Sequence, residues 1–285
     1  MSRKTIEAEP LHNHQDIIDE ERRMYVADGM IFVKRLSAKG NAQTRFHQPY
    51  RSYLPRLARV LSGWGRYVIN LEEQMFRKGD IAILSANAIM QIDECSDDYA
   101  LAFVSLDDTD PALKDIQTAT IHLEQPQLDI IDGYFRLIGN ILFNGGYQKP
   151  VIAPLQRSLI QTYLAYRNVE MQQTEPHASR QSEVFHRFLS LVSQHAAEGA
   201  RDIQFYADRL CLAPRYLCAV VKEASGQTIM QWVERAVVSE AKVELCYTDR
   251  PVSDIAHQLH FDDASTFTRY FRRVTGMTPS EYREK

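Results

Sequence analysis

The chain has 285 residues, 45% of them hydrophobic and 25% charged, with a formal net charge of −4. This length suggests about two domains, and the apolar content is sufficient for buried cores. No apolar run reaches the ~18 residues of a membrane helix, and the first residues lack the pattern of a signal peptide. The cysteines, at positions 95, 211, 218 and 246, lack the CxxC spacing of zinc sites. We therefore predict a cytoplasmic protein with reduced thiols, no cofactor and no contact with a membrane.

The first 28 residues are polar and acidic. His12 and His14 are separated by one residue, a spacing that metal sites can use. A metal site needs further ligands, and the residues that follow do not supply them. We predict a loosely packed arm in preference to a metal site.

Short segments with β-branched residues or alternating polarity come next, separated by Gly63, Gly65, Gly79 and Asn87. They span residues 31–36, 59–62, 66–70, 80–84, 89–92 and 99–106. Such strands predict a small barrel or sandwich, and a small barrel can bind one ligand at its mouth. The candidate lining residues are Phe46, His47, Tyr50, Trp64 and Tyr67. The alternative for each of them is packing in the core, in a lid or on the surface.

Two amphipathic helices are predicted over residues 127–143 and 151–171, with a break at Gly145 and Gly146. They either cover the open barrel or form the seam of a homodimer. Residues 173–182 are polar and lack periodicity, so they are predicted to be a linker. Ser182 is predicted to cap the helix that follows.

A pattern of apolar residues is repeated within the last hundred residues. Ala207, Leu210 and Leu212 correspond to Ala256, Leu259 and Phe261 at an offset of 49 residues. Leu217, Val221 and Gly226 correspond to Phe267, Phe271 and Gly276 at an offset of 50 residues. Each copy is typical of a short helix, a turn and a second helix. We therefore predict two helix-turn-helix units, at residues 203–226 and 252–276.

The segment between the two units is predicted to be one helix. Residues 228–247 carry apolar side chains at helical spacing, and Thr228 is placed to cap their N-terminus. Such a helix spans about 30 Å at ~1.5 Å per residue. Successive major-groove segments on one side of DNA lie roughly 34 Å apart. The connector therefore suits two recognition helices that enter two successive segments of the groove.

The outer faces of the two predicted recognition helices carry the candidate DNA-binding residues. Base reading is assigned to Ser265, Thr268 and Arg269 in the second unit and to Arg215, Cys218 and Ala219 in the first. Arg269 is the leading candidate, because arginine can bond the O6 and N7 atoms of guanine together. Phosphate contacts are assigned to Lys222, Arg235, Arg272 and Arg273. For each of these residues the alternative is a solvated helix face.

The segment SDIAHQLHFDDASTFTRYFRRVTGMTPSEYR and, less closely, YLCAVVKEASGQTIMQWVERAVVSEAKVEL resemble the AraC/XylS family of bacterial transcription regulators. The resemblance implies two DNA-binding helix-turn-helix motifs, usually in an activator controlled by a separate domain. The segments VLSGWG and KGDIAIL resemble the cupin-like sensor half of the same family. Where a metal-bearing cupin would offer a histidine, this chain has Asn87, Met90 and Gln91, so we expect a pocket without metal.

Three positions depart from the family pattern. His260 stands where the family usually has glycine, Ala219 where it has arginine, and Val221 where it has phenylalanine. The departures at Ala219 and Val221 lie in the first recognition helix. They predict that this helix reads bases more weakly than the second, or differently.

Together these patterns predict an α+β protein. Residues 1–172 form a cupin-like β-barrel with two covering helices, and residues 183–285 form an all-α DNA-binding region. Residues 200–285 contain 12 Lys or Arg and 12 Asp or Glu, so any positive face is local and non-specific affinity for DNA is modest.

The leading hypothesis is a homodimeric transcription regulator that binds double-stranded DNA and is controlled by a small-molecule effector. As an activator it would also contact RNA polymerase. A regulator controlled by a protein partner is the first alternative. A cupin-type enzyme with a DNA-binding tail is the second, although neither a metal triad nor an activated nucleophile is found.

Overall fold

The computed structural model describes residues 17–19, 24–27, 30–37, 46–106, 113, 116, 118–173 and 180–284. His12 and His14 lie outside the described residues, as does most of the predicted N-terminal arm. Residues 174–179 of the predicted linker lie outside them as well.

The N-terminal part of the chain is built mainly from strands. They are β1 (Ile17–Asp19), β2 (Met24–Ala27), β3 (Met30–Ser37), β4 (Tyr50–Ser52), β5 (Arg56–Ser62), β6 (Trp64–Ile69), β7 (Glu72–Arg77), β8 (Asp80–Leu84), β9 (Ala88–Cys95), β10 (Ala100–Ser105) and β11 (Ala119–His122). All six predicted strands are confirmed. Strands β1, β2, β4, β7 and β11 were not predicted. In β7 the buried side chain is that of Phe76, so the hydrophobic signal of this strand is weak.

The strands pair into two antiparallel sheets. One has the order β1-β2-β3-β10-β5-β8-β11 and the other the order β4-β9-β6-β7. Val60 and Leu84 of the first sheet share a buried cluster with Tyr67, Phe76 and Ile92 of the second, so the two sheets face each other. The pairing among the described strands joins no strand of one sheet to the other. Closure into a barrel therefore stays a prediction.

Two long helices cover the outer face of the seven-stranded sheet. They are α1 (Gln125–Gly145) and α2 (Lys149–Gln173), and both were predicted. Ile131 and Ile138 of α1 and Leu159 of α2 are buried in a cluster with residues of β5, β8 and β10. The hydroxyl of Tyr163 donates to the carbonyl of Ala119 at 2.9 Å, which ties α2 to β11. Covering the sheet is therefore a confirmed role of these helices, whereas a dimer seam stays a prediction.

The C-terminal part is helical. Its helices are α3 (Arg180–His195), α4 (Ile203–Leu210), α5 (Pro214–Ser225), α6 (Ile229–Tyr247), α7 (Val252–Gln258), α8 (Ala264–Thr275) and α9 (Pro279–Glu284). They share one core, to which Phe188, Tyr206 and Trp232 contribute. Because α3 begins at Arg180, Ser182 lies inside the helix and does not cap it, contrary to the prediction.

The connector is the single helix α6, as predicted. Thr228 accepts a hydrogen bond from the backbone of Gln231 at 3.2 Å, and the Gln231 side chain accepts one from the backbone of Thr228 at 2.8 Å. This reciprocal capping box satisfies two backbone donors and sets where the helix begins. A second capping box joins Thr278 and Glu281 at the start of α9.

Candidate nucleic-acid interface

The two helix-turn-helix units have the same backbone at their turns. The N–H of Leu212 donates to the carbonyl of Ala207 at 2.9 Å, and that of Phe261 donates to Ala256 at 2.9 Å. The residue before each donor is left-handed, with a φ of 56° at Cys211 and 58° at His260. These pairs differ by the same 49 residues as the sequence repeat, so α4–α5 and α7–α8 are structural copies.

Each recognition helix begins and ends at a defined residue. Helix α5 has Pro214 in its first turn, and α8 is capped by Asp263, whose carboxylate accepts the N–H of Thr266 at 2.7 Å. Both helices end at a left-handed glycine, Gly226 or Gly276. Glycine adopts this conformation without strain, so each helix stops there.

The inner faces of α5 and α8 pack against the common core. Leu217 and Val221 of α5 and Phe267 and Phe271 of α8 are fully buried. This burial orients the opposite face of each helix toward solvent, since side chains three and four residues apart share a face.

The predicted base readers of the second unit occupy that outer face. Ser265 and Arg269 are exposed, whereas Thr268 is half-buried. The hydroxyl of Thr268 donates to the carbonyl of Ala264 at 2.7 Å, so in this conformation it can only accept a bond from DNA. Arg269 lies within 3.4 Å of the hydroxyl of Thr266 and projects from the first half of the helix.

In the first unit, Arg215 and Ala219 are exposed on α5. Cys218 is half-buried and packs against the core, so little of its side chain is available to DNA. An alanine side chain offers DNA no hydrogen bond. On the exposed face of α5, Arg215 is therefore the predicted base reader that could form two hydrogen bonds with a base, and base reading by Arg215 stays a prediction.

The four predicted phosphate contacts differ in their surroundings. Arg272 is exposed on α8 and interacts electrostatically with Glu281. Arg273 forms an ion pair with Glu234 of α6 at 2.6 Å. The amine of Lys222 donates to the carbonyl of Gly226 at 2.6 Å and so closes the end of α5.

Arg235 is half-buried on α6. Its guanidinium lies 4.4 Å from the ring of Trp232 and donates to the side-chain oxygen of Gln227 at 3.5 Å. Burial lowers the pKa of Arg235, and the negative charge of Glu73 opposes that effect. The side chain is therefore directed toward the protein and not toward open solvent.

Sequence reasoning missed Arg201, which lies between α3 and α4. Its guanidinium lies 4.1 Å from the ring of Phe261 and donates to the carbonyl of Leu259. Burial lowers the pKa of Arg201. Because Leu259 and Phe261 flank the second turn, Arg201 supports that turn from the segment that precedes the first unit. An arginine outside any recognizable motif carries no sequence signal for this role.

The predicted effector-lining residues do not form one group. Phe46 and Tyr50 pack against the cluster between the two sheets, and Tyr67 is buried within it. The ring of Tyr67 meets that of Phe76 edge-on at 5.3 Å, and burial raises the pKa of its phenol well above 10. His47 has a side chain that is 72% exposed and lies 3.4 Å from Asp93. Trp64 is half-buried and outside this cluster.

In the described ranges, His, Cys, Asp and Glu side chains form no group of three or more that could hold a metal ion. Over the same part of the chain, each helix is too short or too polar to span a bilayer.

Comparison with known proteins identifies relatives of part of the chain. Residues 206–285 match the family described as "Helix-turn-helix domain". The arabinose operon regulatory proteins of Salmonella typhimurium and Escherichia coli are each 34% identical to the chain over 92 residues, 32% of its length. The HTH-type transcriptional activator RhaS of Yersinia pestis is 33% identical over 79 residues, 28% of the chain. These matches span 33%, 32% and 29% of the respective relatives, about a third of their length.

Two solved structures are also similar. The C-terminal domain of AraT, a response regulator from Geobacillus stearothermophilus, aligns with a TM-score of 0.35 and 24% identity over 37% of this chain and 88% of that chain. ToxT from Vibrio cholerae O395 aligns with a TM-score of 0.42 and 14% identity over 87% of this chain and 94% of that chain. Both TM-scores are too low to establish a shared overall fold.

Proposed function

We propose that the C-terminal region of this chain is a helix-turn-helix domain of the AraC/XylS family of transcription regulators, and that the whole protein is a sequence-specific regulator of transcription. It binds double-stranded DNA through α5 and α8. Regulators of this family are not enzymes. In this proposal the protein acts through the DNA sites to which it binds.

One observation carries this proposal. The two turns have matching hydrogen bonds and matching left-handed residues, and each is followed by a helix with a buried apolar face and an exposed polar face. A duplicated unit of this kind presents two recognition helices to one DNA duplex. The 19 residues of α6 span about 28 Å at ~1.5 Å per residue, which suits two adjacent segments of the major groove.

The two recognition helices divide the work unequally in this proposal. Arg269 and Ser265 of α8 read base edges, and Arg272 binds phosphate. Helix α5 contributes Arg215 but places Ala219 and the half-buried Cys218 beside it. We therefore infer that the second unit sets most of the sequence preference and that the first adds affinity.

Control by a small-molecule effector in the N-terminal sheets is part of the proposal. Phe46 and Tyr50 are half-buried at the edge of the cluster between the two sheets, where a ligand can reach them. The name of one relative refers to the arabinose operon, and this name describes that relative and not the present chain. For this chain we propose a small-molecule ligand and do not assign its chemical class.

A protein partner is the second candidate for the controlling signal. The buried rings of Tyr67, Phe76 and Tyr99 belong to the cluster between the two sheets, where they take up room that a ligand would need. Large side chains between the sheets favour a controlling partner that binds the outer surface of the N-terminal part. Helix α1 offers one, because Ile130 and Leu137 are 50% and 46% exposed. A second copy of the chain, as in the predicted homodimer, is also compatible with this surface.

The proposal is tested by recovering and sequencing the genomic fragments that the full-length protein retains. We expect a small set of promoter fragments that share a sequence spread over two adjacent turns of DNA. Arg180→Ala is a suitable control variant, since Arg180 is exposed at the start of α3, outside both recognition helices. The control should recover the same fragments, whereas Arg269→Ala should recover a broader set. Recovery of no enriched fragment by the wild type would contradict the proposal.

A further inference from the structure

The segment between α3 and α4 contacts both helix-turn-helix units. Its attachment to the first unit involves the residues on either side of Arg201. The hydroxyl of Tyr206 on α4 donates to the carbonyl of Ala200 at 2.6 Å, and Tyr206 is fully buried. The carboxylate of Asp202 accepts the N–H of Gln204 at 3.2 Å and caps α4. The backbone of Arg201 is therefore held against the start of the first unit.

The side chain of Arg201 contacts the turn of the second unit. Its guanidinium donates to the carbonyl of Leu259. It also lies 4.1 Å from the centre of the Phe261 ring and 6.0 Å from that of Tyr270 on α8. A cation at such a distance over an aromatic ring is attracted to its face. Arg201 therefore joins the two units through a contact in which α6 takes no part.

Gly199 and His260 fit together at the same place. His260 is the left-handed residue of the second turn, at the position where the family pattern has glycine. A Cβ atom at Gly199 would lie 3.2 Å from Cγ of the His260 ring, which is closer than an ordinary side-chain contact. Gly199 also has a φ of 93°, a conformation that glycine adopts without strain. The second turn is therefore packed closely against the segment that carries Arg201.

Tyr270 links this contact to the connector helix. Its ring lies 5.1 Å from that of Phe261 and 5.3 Å from the guanidinium of Arg273. Arg273 in turn pairs with Glu234 of α6 at 2.6 Å. The second unit is therefore attached to α6 through Arg273 and to the first unit through Arg201. Attachment at two separate residues hinders rotation of the second unit about either one.

We propose that Arg201 is a positioning residue that fixes the second helix-turn-helix unit relative to the first and so sets the spacing of the two DNA segments that the protein recognises. This inference rests on the proposed function, in which α5 and α8 bind adjacent segments of the major groove. One added base pair moves these segments apart by about 3.4 Å and rotates one relative to the other by about 34°. To follow that change, the second unit must give up the contacts of Arg201.

The test uses full-length protein and the genomic fragment that the wild type retains most strongly. Single base changes first locate the two recognised segments, and one base pair is then inserted between them. The insertion penalty is the ratio of the affinities for the original and the lengthened fragment. Loss of the Arg201 contacts costs roughly one net hydrogen bond, or about fivefold in affinity. The penalty of Arg201→Ala should therefore be smaller than that of the wild type by about fivefold.

A loss of stability alone would not produce this result. The penalty is a ratio of two affinities of the same variant, so any unfolded protein lowers both affinities equally and cancels. Arg201→Lys keeps a cation that can donate to the carbonyl of Leu259. Its insertion penalty should therefore exceed that of Arg201→Ala.

The matched control is Arg209→Ala. The guanidinium of Arg209 on α4 lies 4.8 Å from the ring of Phe205 and 3.4 Å from Nε2 of His195. This change also removes an arginine that lies over a phenylalanine ring, but both partners belong to α3 or α4. The insertion penalty of Arg209→Ala should equal that of the wild type.

The outcomes separate the role of Arg201 from the proposed function. Retention of no fragment by the wild type would contradict DNA-binding regulation and with it any role of Arg201 in spacing. Retention of a fragment, with equal insertion penalties in the wild type and Arg201→Ala, would overturn the role of Arg201 alone. An equally reduced penalty in Arg209→Ala would also overturn it, because the effect would then not depend on contact with the second unit.

Discussion

The guanidinium of Arg273 on α8 donates to the carboxylate of Glu234 on α6 at 2.6 Å. The same guanidinium lies 5.3 Å from the ring of Tyr270. This ion pair joins the second recognition helix to the connector. Arg272, its neighbour in sequence, is instead exposed on the outer face of α8. Two adjacent arginines therefore have different partners, and we expect different roles.

Arg272→Ala should weaken binding to all DNA sequences and reduce the salt slope by about 0.9, the value of one phosphate contact. Arg273→Ala should change the salt slope less, because its charge is already paired with Glu234. Its effect on stability should be small, ~0.2–1 kcal/mol, since the Arg273 side chain is 61% exposed. Binding isotherms at several salt concentrations distinguish the two. Equal slope changes would show that both arginines contact phosphate.

Arg269→Ala should relax sequence preference more than it lowers affinity for unrelated DNA. The loss should be about 1–3 kcal/mol at the base pair that Arg269 reads and close to zero at other positions. Competition between the retained fragment and versions with single base changes measures this. Arg215→Ala in the first unit provides the comparison. A uniform loss on every sequence would assign Arg269 to the phosphate backbone.

Cys211→Gly should stabilise the protein slightly. Cys211 is exposed and has a φ of 56°, a conformation that costs a side-chain-bearing residue ~1–2 kcal/mol. Glycine removes this strain but adds ~0.5–1 kcal/mol of conformational entropy to the unfolded chain, so the net gain should be about 0.5 kcal/mol. Ala219→Gly, in the interior of α5, should instead cost about 1 kcal/mol. Urea unfolding followed by circular dichroism measures both, and destabilisation by Cys211→Gly would contradict the argument.

Asp263 should make the stability of α8 depend on pH in the acid range. Hydrogen bonds from the backbone and side chain of Thr266 lower the pKa of Asp263 below its ordinary value of 3.8. The folded state therefore favours the charged form. Its stabilising effect is complete above the ordinary pKa and is lost as the pH falls through the lowered pKa.

Asp263→Asn should keep a capping acceptor but remove this part of the pH dependence. Thermal unfolding of wild type and variant, followed from about pH 5 to about pH 2, measures it. Asp262→Asn is the matched control, because Asp262 is exposed and does not cap the helix. Parallel pH profiles for the wild type and Asp263→Asn would show that the cap does not depend on the charge.

The elements found correctly from the sequence depend on residues close together in the chain. Apolar residues at helical spacing predicted α1, α2 and α6, and Thr228 and Gly276 predicted helix ends that the structure contains. The strand β7 was missed because its two apolar residues, Met75 and Phe76, are adjacent and do not alternate with polar residues, and only Phe76 is buried. Its place in the sheet comes from pairing with β6 and not from its own sequence.

By itself, the sequence determined the duplicated helix-turn-helix units and which face of α8 carries Ser265 and Arg269, because helical periodicity alone decides what lies on a common face. Tertiary structure alone decided that Arg273 pairs with Glu234, that Lys222 closes α5, and that Leu71 is buried against the C-terminal helices. An arginine has the same charge in sequence whether it faces solvent or a carboxylate. Which of these occurs depends on pairs such as Arg51 and Glu240, which are far apart in the chain and meet only when the two parts of the protein pack together.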